Sequence, residues 1–235
     1  MNNGEFLQRE FFDRHEHLYH TEIILDPPLS QALELEDLEN TLQLSKGRII
    51  DFGCGSGRIS MYFLRRGFNV IGVDVSSHSI QHLENLYQTH KTESWGKLET
   101  MTSLPINLVD GVVGADILHH IDMPSYLPKI YSLLKQGGRV AFSEPNGLHL
   151  PWYAYLWVKR IPWHVEEGLL KCTPRNVHRQ LSKAGFQNIK INPHGLLPTF
   201  LFNRWSRLCR YNAFTMSRIP LLSTLSFRFI VEAQK

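Results

Sequence analysis

The sequence predicts one α/β domain that is built around a parallel β-sheet. Between Arg48 and Val140, short apolar or β-branched runs alternate with longer stretches of helical character, which is typical of strands joined by crossover helices. Most of these runs lack the polar alternation of a half-exposed sheet, so the strands should be buried on both faces. A length of 235 residues is enough for one core, and 43% hydrophobic against 20% charged residues exclude a disordered chain.

Seven runs are predicted to be strands, and four stretches after the first strand are predicted to be helices. The strands are expected at residues 48–52, 69–74, 97–101, 110–115, 139–144, 186–191 and 226–233. The helices are expected at residues 56–66, 77–90, 124–135 and 174–184. Gly137 and Gly138 tolerate a left-handed backbone and are predicted to close the last turn of the third helix. Thr173 is predicted to cap the fourth helix, with Pro174 as its first residue.

Two aromatic-rich segments, at about 146–172 and 195–225, do not fit this alternation. Because loops that shape a ligand site usually follow the core strands of an open α/β sheet, these insertions should determine specificity. Charge is also distributed unevenly along the chain. From residue 151 onward there are 13 basic and 3 acidic side chains, whereas residues 1–150 carry 12 basic and 19 acidic ones. The basic end would attract phosphate groups, or it is simply a solvated face.

Cysteine usage and the apolar runs bear on the compartment. Cys54, Cys172 and Cys209 are odd in number and far apart, which excludes a disulfide framework and favours a reducing environment. The first ten residues are polar, and no stretch approaches the roughly 20 apolar residues of a membrane-spanning helix. We therefore expect a cytoplasmic protein that could associate with a membrane surface. No metal site is predicted, since the clustered His15, His17 and His20 lack further ligands at a suitable spacing.

The strongest local signal is a glycine-rich turn between a predicted strand and a helix. Gly53, Gly55 and Gly57 form a G-x-G-x-G pattern rather than the G-x-G-x-x-G pattern of dinucleotide sites. Glycines allow the backbone to approach a ligand closely, and the following helix offers free amide donors. Asp51, just before the turn, would repel a pyrophosphate. The turn therefore predicts a ligand with a cationic group.

Asp74 adds a second acidic residue at the end of the next strand. It follows Gly57 by 17 residues, close to the roughly 20 at which an acid reaches the two hydroxyls of a ribose. The amino-acid tail of S-adenosylmethionine carries an ammonium group that Asp51 can pair and a carboxylate that backbone amides can receive. Together these residues predict S-adenosylmethionine as the cofactor.

With these motifs, residues 45–190 and the last strand resemble the class I S-adenosylmethionine-dependent methyltransferases, especially the group that includes quinone and lipid methyltransferases. The family pattern continues in Leu104-Pro105, in Leu118-His119-His120-Ile121, and in the turn at residues 134–139. The resemblance implies a Rossmann-like seven-stranded sheet of order 3-2-1-4-5-7-6, with strand 7 antiparallel and helices on both faces. It also implies a cofactor site at the carboxyl ends of the first strands.

The resemblance further implies a domain division and a set of cofactor contacts. Residues 1–44 are expected to form a helical lid segment, and residues 45–235 the methyltransferase domain. Many relatives carry an acidic residue where this chain has Thr100, so backbone and apolar contacts should hold the adenine here. The implied contacts are Asp51, Gly53, Cys54, Gly55, Gly57, Asp74, Val75, Thr100, Met101, Gly114, Ala115 and, from the lid, Tyr19.

Catalysis requires little beyond alignment, because the methyl group is already activated on a sulfonium. If the acceptor is a hydroxyl, a neutral histidine could take its proton. His119 and His120 are the first candidates, and Glu144 is the second. The alternative is that these side chains cap helices, stabilise turns or pack beneath the cofactor.

The insertions predict an acceptor pocket that is apolar inside with a cationic rim. A small lipid-like molecule or prenylated ring would suit it. Arg204, Arg207 and Arg210 recur every three residues and predict one basic helical face, which could rest on an anionic membrane or lie in water. RNA or other nucleic-acid methylation, and cofactor binding without catalysis, are the alternative functions. No RNA-binding appendage is visible, so nucleic acid is disfavoured, and the sequence leaves the oligomeric state open.

Overall fold

A computed structural model gives the structure of the protein and describes residues 21–215, 219 and 222–235. Seven strands form one sheet in the order β3-β2-β1-β4-β5-β7-β6. Strand β7 is antiparallel to both of its neighbours, and the other pairs are parallel. The predicted order and orientation are confirmed. The strands are β1 Arg48–Phe52, β2 Asn69–Val73, β3 Leu98–Met101, β4 Val109–Ala115, β5 Leu134–Pro145, β6 Gln187–His194 and β7 Arg228–Gln234.

Helices cover both faces of the sheet and fill the two insertions. The α-helices are α1 Thr21–Leu25, α2 Leu29–Leu42, α3 Arg58–Arg65, α4 Ser77–His90, α5 Met123–Leu133, α6 Pro151–Lys159, α7 Trp163–Glu166, α8 Pro174–Lys183 and α9 Ser206–Arg210. Short 3-10 turns occupy Glu167–Lys171, Thr199–Phe202 and Ser223–Leu225, and a π-type turn occupies Tyr211–Thr215. Among the described helices, none has both the length and the apolar character needed to cross a bilayer.

Alternating strand residues feed two hydrophobic clusters, one on each face. Ile50 and Phe142 point to the cluster that α5 and α8 cover. Their neighbours Ile49 and Ala141 point to the cluster that α2, α3 and α4 cover. Because successive side chains of a strand face opposite sides, a sheet with helices on both faces needs continuous apolar runs, as the sequence indicated. Helix α2, which lies within the predicted lid segment, packs into the second cluster.

The turn into β5 differs from the sequence prediction. Helix α5 ends at Leu133, and Leu134 is already extended, with φ −75° and ψ 139°. Leu134 pairs with Val109 of β4, and the register then shifts before the next pair. Gly137, with φ +78°, therefore lies in an irregularity of the strand and does not close the helix. Strand pairing overrides the local preference of the two glycines for a helix end.

The arginine-rich segment also differs from its prediction. Helix α9 begins at Ser206, so Arg204 lies in the turn that precedes it, and only Arg207 and Arg210 share the helix. Cys209 and Ala213 are buried against Leu33 of α2. This packing holds the segment as one helical turn followed by a π-type turn, and the single basic face that the spacing predicted is not formed.

Candidate functional site

A cavity of about 900 Å³ opens at the carboxyl ends of the central strands. Phe52 pairs with Val73, and Val73 pairs with Met101, so β1, β2 and β3 end at one edge of the sheet. Residues of the glycine turn line one part of the cavity, and aromatic residues of the two insertions line another. The cavity therefore joins the predicted cofactor region to the predicted acceptor region.

The glycine turn has a backbone that only glycine adopts without strain. Gly53 has φ +76° and Gly57 has φ +101°. A Cβ atom at Gly57 would lie 2.4 Å from Cδ1 of Leu83, so the turn also packs tightly on α4. The amides of Gly53 and Cys54 donate to the carbonyl oxygen of Val73 at 2.8 and 3.1 Å. These contacts hold the turn against β2 and shape the cavity wall.

At Gly55 the same turn is open. Its φ is +48°, and no atom of the described residues lies within 4 Å of the position where a Cβ would stand. Its amide donates to Oδ2 of Asp74 at 2.8 Å, while the amide of Ser76 donates to Oδ1 at 2.9 Å. Asp74 thus orients the turn, and it lines the cavity together with Val75. Contact between Asp74 and a ribose stays a prediction.

Asp51 is a buried carboxylate with an unused acceptor atom. The Ser60 hydroxyl donates to its Oδ2 at 2.6 Å, but its Oδ1 has no hydrogen-bond partner among the described residues. Burial raises the pKa of Asp51 to about 7, against the lowering effect of Ser60 and Arg58. A ligand ammonium would supply the missing donor and favour the ionised form. The site therefore fits the cationic tail of the predicted cofactor.

Of the other predicted cofactor contacts, some line the cavity and some lie inside the sheet or the core. Cys54 and Ala115 line the cavity, whereas Gly114 is inside the sheet, where a Cβ would lie 2.7 Å from the Phe52 carbonyl oxygen. The Thr100 hydroxyl donates to Glu84 of α4, and Met101 packs against the core. Beyond the end of β3, the chain lines the cavity with Thr102, Ser103 and Leu104. Their position directly after a predicted strand is the sequence feature that could have indicated these three cavity residues.

Tyr19, the expected lid contact, lies outside the described residues, as do His15, His17 and His20.

Four charged side chains that sequence reasoning missed form a network at the cavity wall. Arg228 Nη1 lies 2.8 Å from Asp116 Oδ1, and Arg228 Nη2 lies 3.2 Å from Glu34 Oε1. Arg58 Nη1 lies 2.9 Å from Glu34 Oε2, and Arg58 Nη2 lies 3.6 Å from Asp116 Oδ2. Burial alone would raise the pKa of Glu34, but the two guanidinium groups lower it. No local pattern could have found this network, since its members are up to 194 positions apart.

Within this network, Asp116 has an unusual backbone. Its φ is +56°, a left-handed conformation that costs free energy in a residue with a side chain. Its amide donates to the Ser143 carbonyl oxygen at 3.0 Å, and Arg228 holds its carboxylate at the cavity wall. The end of β4 is therefore pinned by both backbone and side-chain contacts.

His119 and Glu144 form a buried pair. Glu144 Oε2 lies 2.8 Å from Nδ1 of His119, and Glu144 Oε1 accepts the amides of Ile117 and Leu118 at 2.9 and 2.8 Å. Glu166 approaches the other ring nitrogen of His119 at 3.5 Å. Burial opposes protonation, but the two carboxylates outweigh it and raise the pKa of His119 to about 10. His119 is thus a cation at neutral pH, and Glu144 stabilises the turn.

His120 has the opposite protonation state. Burial and the neighbouring His119 cation lower the pKa of His120 well below 6.5, and the two ring centroids are 3.9 Å apart. The imidazole is neutral at physiological pH, and the residue lines the cavity. Of the three predicted catalytic residues, His120 is the one that combines a neutral ring with access to the cavity.

The histidine pair and Glu166 also have the composition of a metal site. One possible ligand atom from each lies within 4.8 Å of the others, and sequence reasoning did not foresee Glu166. With its raised pKa, the His119 ring carries a proton on each nitrogen, and Nδ1 faces Glu144 while Nε2 faces Glu166. Ion pairing within the protein therefore already uses both ring nitrogens of His119.

Aromatic contacts bring the two insertions together at the far part of the cavity. Trp152 of α6 stacks on Phe227 with ring centroids 4.7 Å apart, and Phe200 meets the edge of the same ring at 6.2 Å. The Trp152 indole donates to the Phe227 carbonyl oxygen at 3.0 Å. A Cβ at Gly168 would lie 1.6 Å from the carbonyl oxygen of His119. The first insertion thus packs directly on the turn that carries His119 and His120, which we call the histidine turn.

Comparison with known proteins agrees with this geometry. The sequence profile of a family described as a methyltransferase domain matches residues 29–191. The ribosomal protein L11 methyltransferase of Vibrio cholerae is 33% identical over 130 residues, which cover 52% of this chain and 43% of the relative. The ubiquinone biosynthesis O-methyltransferase of Ralstonia nicotianae is 27% identical over 217 residues, covering 86% of this chain and 82% of the relative. The chain thus spans less than half the length of the Vibrio protein.

Solved structures share the fold at low identity. A Thermotoga maritima protein, described as an S-adenosylmethionine-dependent methyltransferase and possible histamine N-methyltransferase, matches with a TM-score of 0.62 and 16% identity, covering 97% of this chain and 99% of that chain. Phosphoethanolamine N-methyltransferase 2 of Haemonchus contortus, in complex with S-adenosylhomocysteine, matches with a TM-score of 0.63 and 18% identity, covering 97% and 60%. Because the family profile covers more than half of the chain and the sheet order is the one expected, this chain belongs to the class I S-adenosylmethionine-dependent methyltransferases.

Proposed function

We propose that the protein transfers a methyl group from S-adenosylmethionine to a small, apolar or lipid-like acceptor. The observation that carries this proposal is the cavity that runs from the glycine turn to the aromatic insertions. When bound, the cofactor supplies a methyl group on a sulfonium centre, which needs an aligned nucleophile and a dry site more than a strong catalyst.

The chain's own residues divide into two sets. Asp51, whose Oδ1 has no partner in the described part of the chain, is proposed to accept a hydrogen bond from the ammonium group of the cofactor. The open backbone at Gly55 leaves room for the amino-acid tail, and Asp74 is proposed to accept the ribose hydroxyls at the neighbouring strand end. Each of these positions lies near the carboxyl end of a parallel strand or in the turn that follows it, where ligands of open α/β sheets bind.

The acceptor side is proposed to be apolar because of what lines it. The wall of the acceptor part is formed by apolar and aromatic side chains, namely Trp152, Tyr155, Leu156, Phe200 and Phe227. Such a wall favours a ring or alkyl chain over a strongly hydrated substrate. The Ralstonia relative is named a ubiquinone biosynthesis O-methyltransferase, which supports an acceptor of similar character.

His120 is proposed as the general base where the acceptor nucleophile carries a proton. Its neutral ring lines the cavity, so it can take a hydroxyl proton as the oxygen attacks the methyl carbon. His119 is proposed as a positioning residue, since it is already protonated and pairs with Glu144 and Glu166. We expect the reaction to occur in the cytoplasm, where the three free cysteines stay reduced.

The test is to incubate the protein with cell extract and S-adenosylmethionine that carries a deuterated methyl group. Untargeted mass spectrometry should then find a small apolar product that is heavier by the label. Label in RNA would contradict the proposed acceptor class. Cofactor binding without any labelled product, from extracts that contain lipids, would favour a binding module without catalysis.

A further inference from the structure

The two insertions expose a large amount of apolar surface. Trp157 is 82% exposed and Leu150 is 74% exposed. Outside residues 148–225, the described chain exposes only Val75, Ile106 and Leu108 among its large apolar side chains to a comparable degree. Contiguous exposed apolar surface is rare on a soluble monomer and marks an interaction site. We call the following side chains the apolar rim: Leu150, Trp157, Val158, Leu201, Trp205 and Leu208.

The apolar rim borders the acceptor part of the cavity. Helix α6 contributes Trp152 and Leu156 to the cavity wall and, on the same helix, the exposed Trp157. The 3-10 turn at Thr199–Phe202 likewise contributes Phe200 to the cavity and Leu201 to the exterior. Since Trp152 and Phe200 both contact Phe227, the two segments that carry the rim also form the apolar wall of the cavity.

Exposed arginines accompany the rim. Arg160 follows α6, and Arg204 and Arg207 flank Trp205; all three are exposed. Acidic residues are scarce in this part of the chain, which has 3 of them against 13 basic residues from residue 151 onward. Exposed tryptophan and leucine beside arginine are typical of segments that lie in the interface of an anionic membrane.

We propose that the apolar rim docks on an anionic lipid bilayer and that its arginines pair with the lipid phosphates. An apolar acceptor could then pass from the bilayer into the cavity without crossing water, which lowers the cost of transfer. Only the passage of an acceptor from the bilayer into the cavity rests on the function proposed above. The docking surface itself rests on the exposed rim and the charge beside it.

Vesicle flotation tests the docking. Purified full-length protein is mixed with vesicles of phosphatidylcholine, or with vesicles in which part of this lipid is replaced by phosphatidylglycerol. We expect the protein to float with the anionic vesicles, to float less with the neutral ones, and to dissociate as the salt concentration rises. Failure to float with either kind of vesicle would overturn the inference.

Two pairs of variants locate the surface. The double substitution Leu150→Ser and Trp157→Ser should weaken binding to anionic vesicles about tenfold or more. Ile106→Ser, at an exposed position in the connection between β3 and β4 and outside both insertions, should not change it. Arg204→Gln with Arg207→Gln should weaken binding to anionic vesicles only. The matched control is Arg175→Gln with Lys183→Gln on α8, which removes the same charge elsewhere. Equal effects of the test and control variants would refute docking through the rim.

Two further measurements separate this inference from the proposed function. Calorimetry should find the same affinity for S-adenosylmethionine in the rim variants as in the unchanged protein. A protein that labels a small acceptor in extract but does not float would keep the proposed function and refute the docking. A protein that binds RNA on filters more tightly than anionic vesicles would assign the basic surface to nucleic acid and refute the docking as well.

Discussion

The two parts of the cavity are constructed in different ways. At the cofactor part, Asp51, the glycine turn and Asp74 lie within 24 consecutive residues, and backbone hydrogen bonds between adjacent strand ends hold them. At the acceptor part, Trp152, Phe200 and Phe227 come from separate segments, and contacts between their rings hold them. The first part is thus a local structure that a sequence motif can encode. The second exists only when distant segments pack together, so it should be more sensitive to packing defects.

Asp51 gives the largest expected effect. Its pKa in the folded protein, about 7, lies above the ordinary value of 3.8, so the folded state prefers the protonated acid. Ionised Asp51 therefore lowers the free energy of unfolding. This loss is absent below about pH 4, grows as the pH rises to about 7, and then stays constant. Asp51→Asn should therefore raise the free energy of unfolding by up to about 4 kcal/mol at neutral pH, measured by urea denaturation across this range.

The same variant should lose cofactor affinity while it gains stability. A lost charge-assisted hydrogen bond costs on the order of 2 kcal/mol, or about thirtyfold in affinity, measured by calorimetry with S-adenosylmethionine. Ser60→Ala is the matched control, because it removes a hydrogen bond to Asp51 but keeps the carboxylate. If Asp51→Asn is neither more stable nor weaker in binding, the Asp51 carboxylate is not the buried group that binds the ammonium of the cofactor.

Gly168→Ala should damage the acceptor part and spare the cofactor part. The added methyl group would lie 1.6 Å from the His119 carbonyl oxygen, and overpacking of this kind costs about 3 kcal/mol. We expect a lower free energy of unfolding and a loss of methyl transfer, with cofactor affinity retained under native conditions. Gly137 has a positive φ, and among the described residues the atom nearest to an added Cβ lies 3.8 Å away, so Gly137→Ala should cost about 1 kcal/mol. Equal costs would mean that the first insertion is not docked on the histidine turn.

His120→Ala should slow methyl transfer about a hundredfold if the residue is the general base. Cofactor affinity should not change, and the deficit should shrink at high pH, where a hydroxyl acceptor ionises without help. His178→Ala, at an exposed position of α8, is the control. A deficit that does not vary with pH would assign His120 to packing.

Asp74→Ala should weaken cofactor binding about tenfold, as expected for one lost hydrogen bond to a charged group. Since Asp74 also orients Gly55, its contact with the ribose is isolated by repeating the measurement with a cofactor analogue that lacks the 2′-hydroxyl. The two losses should be less than additive if the groups touch. Full additivity, or no loss at all in the variant, would overturn the ribose assignment.

Local chemistry made much of the fold predictable. The strands and most helices were found because continuous apolar runs, β-branched residues and the Thr173-Pro174 cap act within a few residues. The end of α5 was misjudged, because the pairing of Leu134 with Val109 overrides the two glycines that follow. The helical face expected from Arg204 failed for a similar reason, since burial of Cys209 against α2 sets where α9 lies.

By itself, the sequence determined the sheet order, through its resemblance to a family, and the glycine turn with its two acids, because these depend on patterns within short stretches. Tertiary structure alone decided the protonation states of the two histidines. Glu144 and Glu166 raise the pKa of His119 against its burial, and burial and the His119 cation lower the pKa of His120. Tertiary structure also decided the network of Glu34, Arg58, Asp116 and Arg228. The physical reason is that desolvation and charge pairing depend on distances between residues that only folding brings together.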